Sequence, residues 1–129
     1  MEAARGLDFP FTLTARAENH IRGNPDLDDT IARLRAFEDA GADVLYAPGL
    51  RTADEVRAVC ESVSRPVNVL ALPGLSVPEI VEAGGHRISV GGGLTWVAVS
   101  ALVTAASEIR DGDLSSLSAR LPLGDWLAP

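Results

Sequence analysis

Ala40-Gly41-Ala42-Asp43-Val44-Leu45-Tyr46-Ala47-Pro48-Gly49 holds a helix stop, a short apolar strand and a turn within one passage. Gly41 suits the left-handed position that closes a helix. Val44-Leu45-Tyr46-Ala47 has the branched and aromatic character of a strand, and Pro48-Gly49 ends it. Immediately upstream, Leu27, Ile31, Leu34 and Phe37 recur at helical spacing. Asp26, Asp28 and Asp29 load the first turn of that helix, where negative charge suits the dipole. The passage therefore reads helix, stop, strand, turn.

The same reading repeats outward in both directions. Upstream, Phe9-Pro10-Phe11-Thr12-Leu13-Thr14-Ala15-Arg16 reads as a strand, followed by a loop at Gly23-Asn24-Pro25. Downstream, Thr52 with Glu55 three residues on forms a capping box, and Val56, Val59, Cys60 and Val63 make the buried stripe of its helix. Val67-Asn68-Val69-Leu70-Ala71-Leu72 is a third strand, apolar at nearly every position, as expected of a strand covered on both faces. Ser76 with Glu79 opens a short helix that stops at Gly84-Gly85. Arg87-Ile88-Ser89-Val90 is a fourth strand, and Gly91-Gly92-Gly93 leads into a long helix from Leu94 to Arg110. A short amphipathic helix is expected over Leu114–Leu121, ended by Pro122.

Strands alternate with helices four times without a hairpin signal, which means parallel strands joined by right-handed crossovers. The fold class is α/β: four consecutive βα units. Two architectures satisfy this pattern, an open four-stranded sheet and half of an eight-stranded barrel. Periodicity does not choose between them.

Composition narrows the function classes. The chain has 129 residues, 47% of them hydrophobic, which suits a globular core rather than disorder. Its net charge is −7, with eleven basic residues, all arginine, scattered among eighteen acids. Nucleic-acid binding requires a positive footprint, and none emerges. No apolar run approaches the roughly 18–20 residues of a membrane span; Leu94–Ala106 comes nearest and reads as a buried helix. The N-terminal Met1-Glu2-Ala3-Ala4-Arg5-Gly6 has no signal-peptide pattern, so a cytoplasmic location is expected. Cys60 is the sole cysteine, lies on an apolar helix face, and is expected to be inert packing.

Local wording favours the barrel. Thr14-Ala15-Arg16-Ala17-Glu18-Asn19 resembles the Ala-Arg-Thr-Asp/Glu segment that ends the fifth strand in the isocitrate lyase/phosphoenolpyruvate mutase family. The passage 40–49 is similar to that family's entry into its sixth strand, Arg65–Leu70 to its seventh strand, and Arg87–Gly91 to its eighth. The resemblance runs in register over residues 9–121. It implies the second half, strands five to eight, of a TIM-type (β/α)8 barrel with a short C-terminal helix. In this frame residues 1–8 are the tail of a preceding helix or loop, 9–110 the four βα units, and 111–129 a C-terminal segment. The implied activity is cleavage or rearrangement of a C–C or C–P bond in small α-oxo or α-hydroxy carboxylates through an Mg²⁺-stabilised enolate. The family's magnesium-binding carboxylates and gating loop belong to strands one to four. The expectation is thus a fragment, truncated frame or half-barrel that binds no Mg²⁺ by itself. It would associate with itself or with a complementary N-terminal half; the alternative is a non-catalytic remnant, or a small anion-binding α/β module, that self-associates.

Arg16 stands at a strand's C-terminal end, the face where barrel enzymes keep their sites. A guanidinium there can hold a carboxylate or phosphonate bidentately, as the family's matching arginine does. An ion pair with Glu18 is the structural alternative. Glu18 matches the family's acidic position and is expected to orient Arg16, or less directly to act as a base. Asn19 and His20 could contact substrate or belong to a solvated loop; His20 has no nearby Cys or second His for a zinc site. Gly91 and Gly92 precede a helix and could bind an anion through backbone N–H groups, or simply form a tight turn. Asn68, polar within an apolar strand, needs a partner on a backbone group or neighbouring strand.

Overall fold

The computed structural model describes residues 2–118 and Gly124. The chain divides into two compact units, residues 1–91 and 92–129. The first contains α1 (Glu2–Arg5), β1 (Thr14–Arg16), α2 (Leu27–Asp39), β2 (Val44–Tyr46), α3 (Ala53–Ser62), β3 (Val67–Leu70), α4 (Val77–Glu82) and β4 (Arg87–Ser89). The second contains α5 (Gly93–Arg110) and a 3-10 turn at Ser115–Ser118. Part of the expected C-terminal helix, residues 119–121, lies outside the described residues.

The four strands form one parallel sheet in the order β1-β2-β3-β4. Side chains alternate across a strand, and the alternation here separates two unlike faces. Ala15, Ala17, Leu45, Ala47, Val67, Val69 and Ile88 pack in one cluster with Leu34 of α2, Val56 and Val59 of α3, and Ile80 and Ala83 of α4. Leu34, Leu45 and Ile80 are fully buried, each contributing about 1.5–3 kcal/mol by removal from water. The opposite face carries Thr14, Arg16, Val44, Tyr46, Asn68, Leu70, Arg87 and Ser89. All three packed helices cover the same side. An open doubly wound sheet carries helices on both faces, whereas a barrel carries them outside only. The arrangement is half of a TIM-type barrel.

The helix boundaries follow their caps. The Asp26 carboxylate accepts from Asp29 N at 3.0 Å at the start of α2. Both capping boxes form: Thr52 Oγ1 accepts from Glu55 N while Glu55 Oε2 accepts from Thr52 N, and Ser76 and Glu79 do the same. Gly41 at φ +91° turns the chain out of α2. Asp43 then clasps three segments: Oδ1 accepts from Arg5 at 2.7 Å and Oδ2 from Leu13 N at 2.8 Å. These bonds hold the Asp43 carboxyl below the usual carboxylate range, the Arg5 contact foremost.

Two expectations are corrected. The first strand is three residues, not eight: Leu13 O accepts the first bonds, from Asp43 N and Val44 N, and Pro10 has no N–H to donate. Phe9 and Phe11 stand exposed before it, their rings edge to face at 6.4 Å. The long helix forms as expected at 93–110, yet none of its residues is buried. Trp96 is 71% exposed and Leu102 69%. Its apolar side chains therefore lie exposed among the described residues.

Candidate functional site

Arg16 is the last residue of β1 and projects from the face opposite the helices, since Ala15 and Ala17 on either side enter the core. Its in-register partner on β2 is Tyr46, whose partner on β3 is Asn68, whose partner on β4 is Arg87. Four polar or aromatic side chains thus form one row across the face opposite α2, α3 and α4. At one end the Arg16 guanidinium lies over the Tyr46 ring, 4.9 Å from its centroid. Arg16 NH2 also meets Glu18 Oε1 at 2.6 Å, while the other Glu18 oxygen is 3.3 Å from Arg22 Nε. The ion pair between Arg16 and Glu18 is present, and Glu18 is shared with Arg22. The Arg16 side chain remains half exposed, so a ligand can reach it.

At the other end of the row, Asn68 is 1% exposed and satisfied on both sides. Its Nδ2 donates to Ser89 Oγ at 3.0 Å and its Oδ1 accepts from Arg87 NH1 at 2.8 Å. Asn68 therefore ties β3 to β4.

Asn19 is placed otherwise than a substrate contact requires. It is 8% exposed, and its Nδ2 donates to Thr30 Oγ1 at 2.7 Å, Asp26 O at 3.1 Å and Asn24 O at 3.4 Å. Its donor group is committed to latching the loop after β1 onto the start of α2. The neighbouring buried atoms Asn19 Oδ1 and His20 Nε2 have no hydrogen-bond partner among the described residues.

Gly91 sits at φ +52°, and a Cβ there would stand 3.3 Å from Leu70 Cδ1, so the position is a tight turn against β3. Gly92 is the N-cap of α5, with no side chain capping the helix. A cleft of about 230 Å³ between α3 and α4, lined by Arg57, Cys60, Glu61, Glu82, Gly84 and His86, lies on the helical side. Burial, with a smaller effect from Glu61, pushes the Cys60 thiol up to about 11, which keeps it protonated and unreactive near neutrality. Among the described residues no group of three or more His, Cys, Asp or Glu side chains could hold a metal ion.

The pairing of Arg16 with Glu18 was legible in the sequence; the places of Tyr46 and Arg87 beside them were not. A strand order with in-register pairing would have found them, because both lie on the same row as Arg16 and Asn68.

The profile of the phosphoenolpyruvate phosphomutase family matches residues 1–110. A solved structure of a candidate lyase/mutase from Burkholderia cenocepacia J2315 is 51% identical, with a TM-score of 0.90 over 99% of this chain and 49% of its own. Oxaloacetate decarboxylase of Paraburkholderia xenovorans (strain LB400) is 30% identical over 115 residues, 88% of this chain and 38% of that protein. The structure of 2,3-dimethylmalate lyase, a member of the PEP mutase/isocitrate lyase superfamily, is 25% identical with a TM-score of 0.75, over 95% and 45% of the two chains. This chain spans less than half the length of each. It belongs to the phosphoenolpyruvate mutase/isocitrate lyase family.

Proposed function

We propose that this chain is the strand-five-to-eight portion of a lyase or mutase barrel acting on small α-oxo or α-hydroxy carboxylates. Arg16 clamps the substrate's carboxylate or phosphonate, and Glu18 holds the guanidinium until substrate arrives. The observation that carries this reading is the placement of Arg16: half exposed, at a strand's C-terminal end, on the face opposite α2, α3 and α4, over the Tyr46 ring and paired with Glu18. A planar fork with one edge accessible suits a carboxylate. Gly91 and Gly92 are kept as a secondary anion contact through backbone N–H groups.

The Mg²⁺ of a complete barrel stabilises enolate charge, and its ligands would come from outside the described residues. We therefore expect no metal-dependent turnover from this chain alone on oxaloacetate, 2-methylisocitrate or phosphonopyruvate. The chain should still bind oxalate, the smallest dicarboxylate with the planar shape of an enolate's carboxyl end. Titration calorimetry should give measurable oxalate binding that Arg16→Ala weakens on the order of tenfold or more, the loss of a charge-assisted contact. Equal affinity in the variant would remove Arg16 from the site.

A second reading, non-catalytic self-association, is favoured by α5. Leu94, Trp96, Val97, Leu102 and Val103 are all exposed on one helix, more apolar surface than a monomer normally leaves in water. The outer edges of β1 and β4 also have no partner strand among the described residues. Pairing with a second copy or a complementary half would cover both. The two readings are compatible, and a cytoplasmic location suits either.

A further inference from the structure

We infer that Tyr46 is a positioning residue for Arg16, a role that rests on the carboxylate-clamp reading above. The two residues are in-register partners on adjacent parallel strands, so their side chains rise side by side from the same face. Arg16 is thereby placed over the ring, 4.9 Å from the centroid. Glu18 meets the same guanidinium at NH2, 2.6 Å away.

The two contacts do different work. Glu18 is a charge partner that an incoming carboxylate displaces, and Arg22 stands 3.3 Å from its other oxygen to receive it. The ring remains after that exchange, because it attracts the cation through its π face and takes none of the N–H groups that a carboxylate needs. A half-exposed arginine otherwise samples many rotamers, and holding it costs affinity when the ligand binds. Tyr46 removes part of that cost beforehand. The phenolic hydroxyl is not needed for this, only the ring.

The test uses the purified chain, oxalate as probe, and two substitutions. In the free protein the Arg16 Nε–H proton should resonate upfield of the ordinary arginine range through the ring current. It should do so in wild type and Tyr46→Phe and return to the ordinary range in Tyr46→Leu. Arg16→Lys assigns the signal by removing it. Oxalate affinity should match wild type in Tyr46→Phe and fall about two- to fivefold in Tyr46→Leu, the size of an exposed cation–π contact. Tyr46 is the chain's single tyrosine, so a ring-labelled sample gives one signal that should move with oxalate in wild type and stay still in Arg16→Ala.

An unshifted Arg16 proton in wild type overturns the stacking, whether or not the leucine variant folds. Oxalate binding abolished by Arg16→Ala but unchanged in a folded Tyr46→Leu overturns the positioning role alone. Binding that is absent, or indifferent to Arg16→Ala, overturns the clamp reading and the positioning role with it.

Discussion

Replacing Asn19 separates a loop latch from a substrate contact. Its Nδ2 makes two bonds of good length, to Thr30 Oγ1 at 2.7 Å and Asp26 O at 3.1 Å, and a long one to Asn24 O at 3.4 Å. Each good bond contributes about 1 kcal/mol, up to about 1.5 where buried; the long one contributes little. Thr30 is not stranded, since its hydroxyl donates to Asp26 O at 2.7 Å and that carbonyl also receives Thr30 N. Removing the unpartnered Oδ1 relieves part of its desolvation cost. Asn19→Ala should therefore lose about 2 kcal/mol. Asn19→Asp should lose more, because it turns the donor into a charged acceptor facing two backbone carbonyls. Urea unfolding monitored by tryptophan fluorescence or far-ultraviolet dichroism reads both, as a lower midpoint at unchanged slope. Losses below about 0.5 kcal/mol in both variants would refute the latch. They would return Asn19 to the list of substrate contacts.

Cys60 should alkylate slowly with iodoacetamide at pH 8. A thiol at about 11 rather than 9 holds roughly a hundredth of the thiolate, and a rate equal to that of free cysteine would contradict its burial. Acid should loosen the clasp around Asp43. Its folded-state carboxyl titrates below its unfolded value, so its contribution is present above about pH 4 and lost as pH falls through the folded value. Asp43→Asn should be less stable than wild type at pH 7 and converge with it in acid; parallel profiles would oppose this. Sedimentation at micromolar concentration should show dimers or larger species, and Trp96→Ser with Leu102→Ser should shift the distribution towards monomer. A stable, monodisperse wild-type monomer would dismiss both α5 and the strand edges as interfaces.

The helices were readable because their signals are local. Thr52 with Glu55 and Ser76 with Glu79 state a helix start within four residues, and Gly41 and Gly84 state a stop. Strand ends were not readable in the same way. Ala71 donates the last bond of β3 to Ser89 O, so the strand ends where its neighbour does, not where its apolar residues do. The same blindness hid the row of Arg16, Tyr46, Asn68 and Arg87, which exists only through register. The place of Arg16 at a strand end was readable because that signal is local. The burial of Asn19 was not readable, because a polar residue in a polar loop gives no sign of being buried. For α5 the sequence reports a need for cover and not the cover itself.

The strand order follows the chain order, and that has a consequence for how the first unit opens. Each strand pairs only with the strands one βα unit away, so coupling passes between nearest neighbours, as along a stack of repeats. Among the described residues β2 and β3 are held on both sides, whereas β1 and β4 are each held on one. Opening should therefore fray inward from the two ends, with amide exchange fastest in β1 and β4 and slowest at Leu45 and Val69. Arg16, at the tip of an edge strand, would then sit in a fast-exchanging part of the sheet. Whatever pairs with the free edge of β1 would slow that exchange and steady the arginine at once.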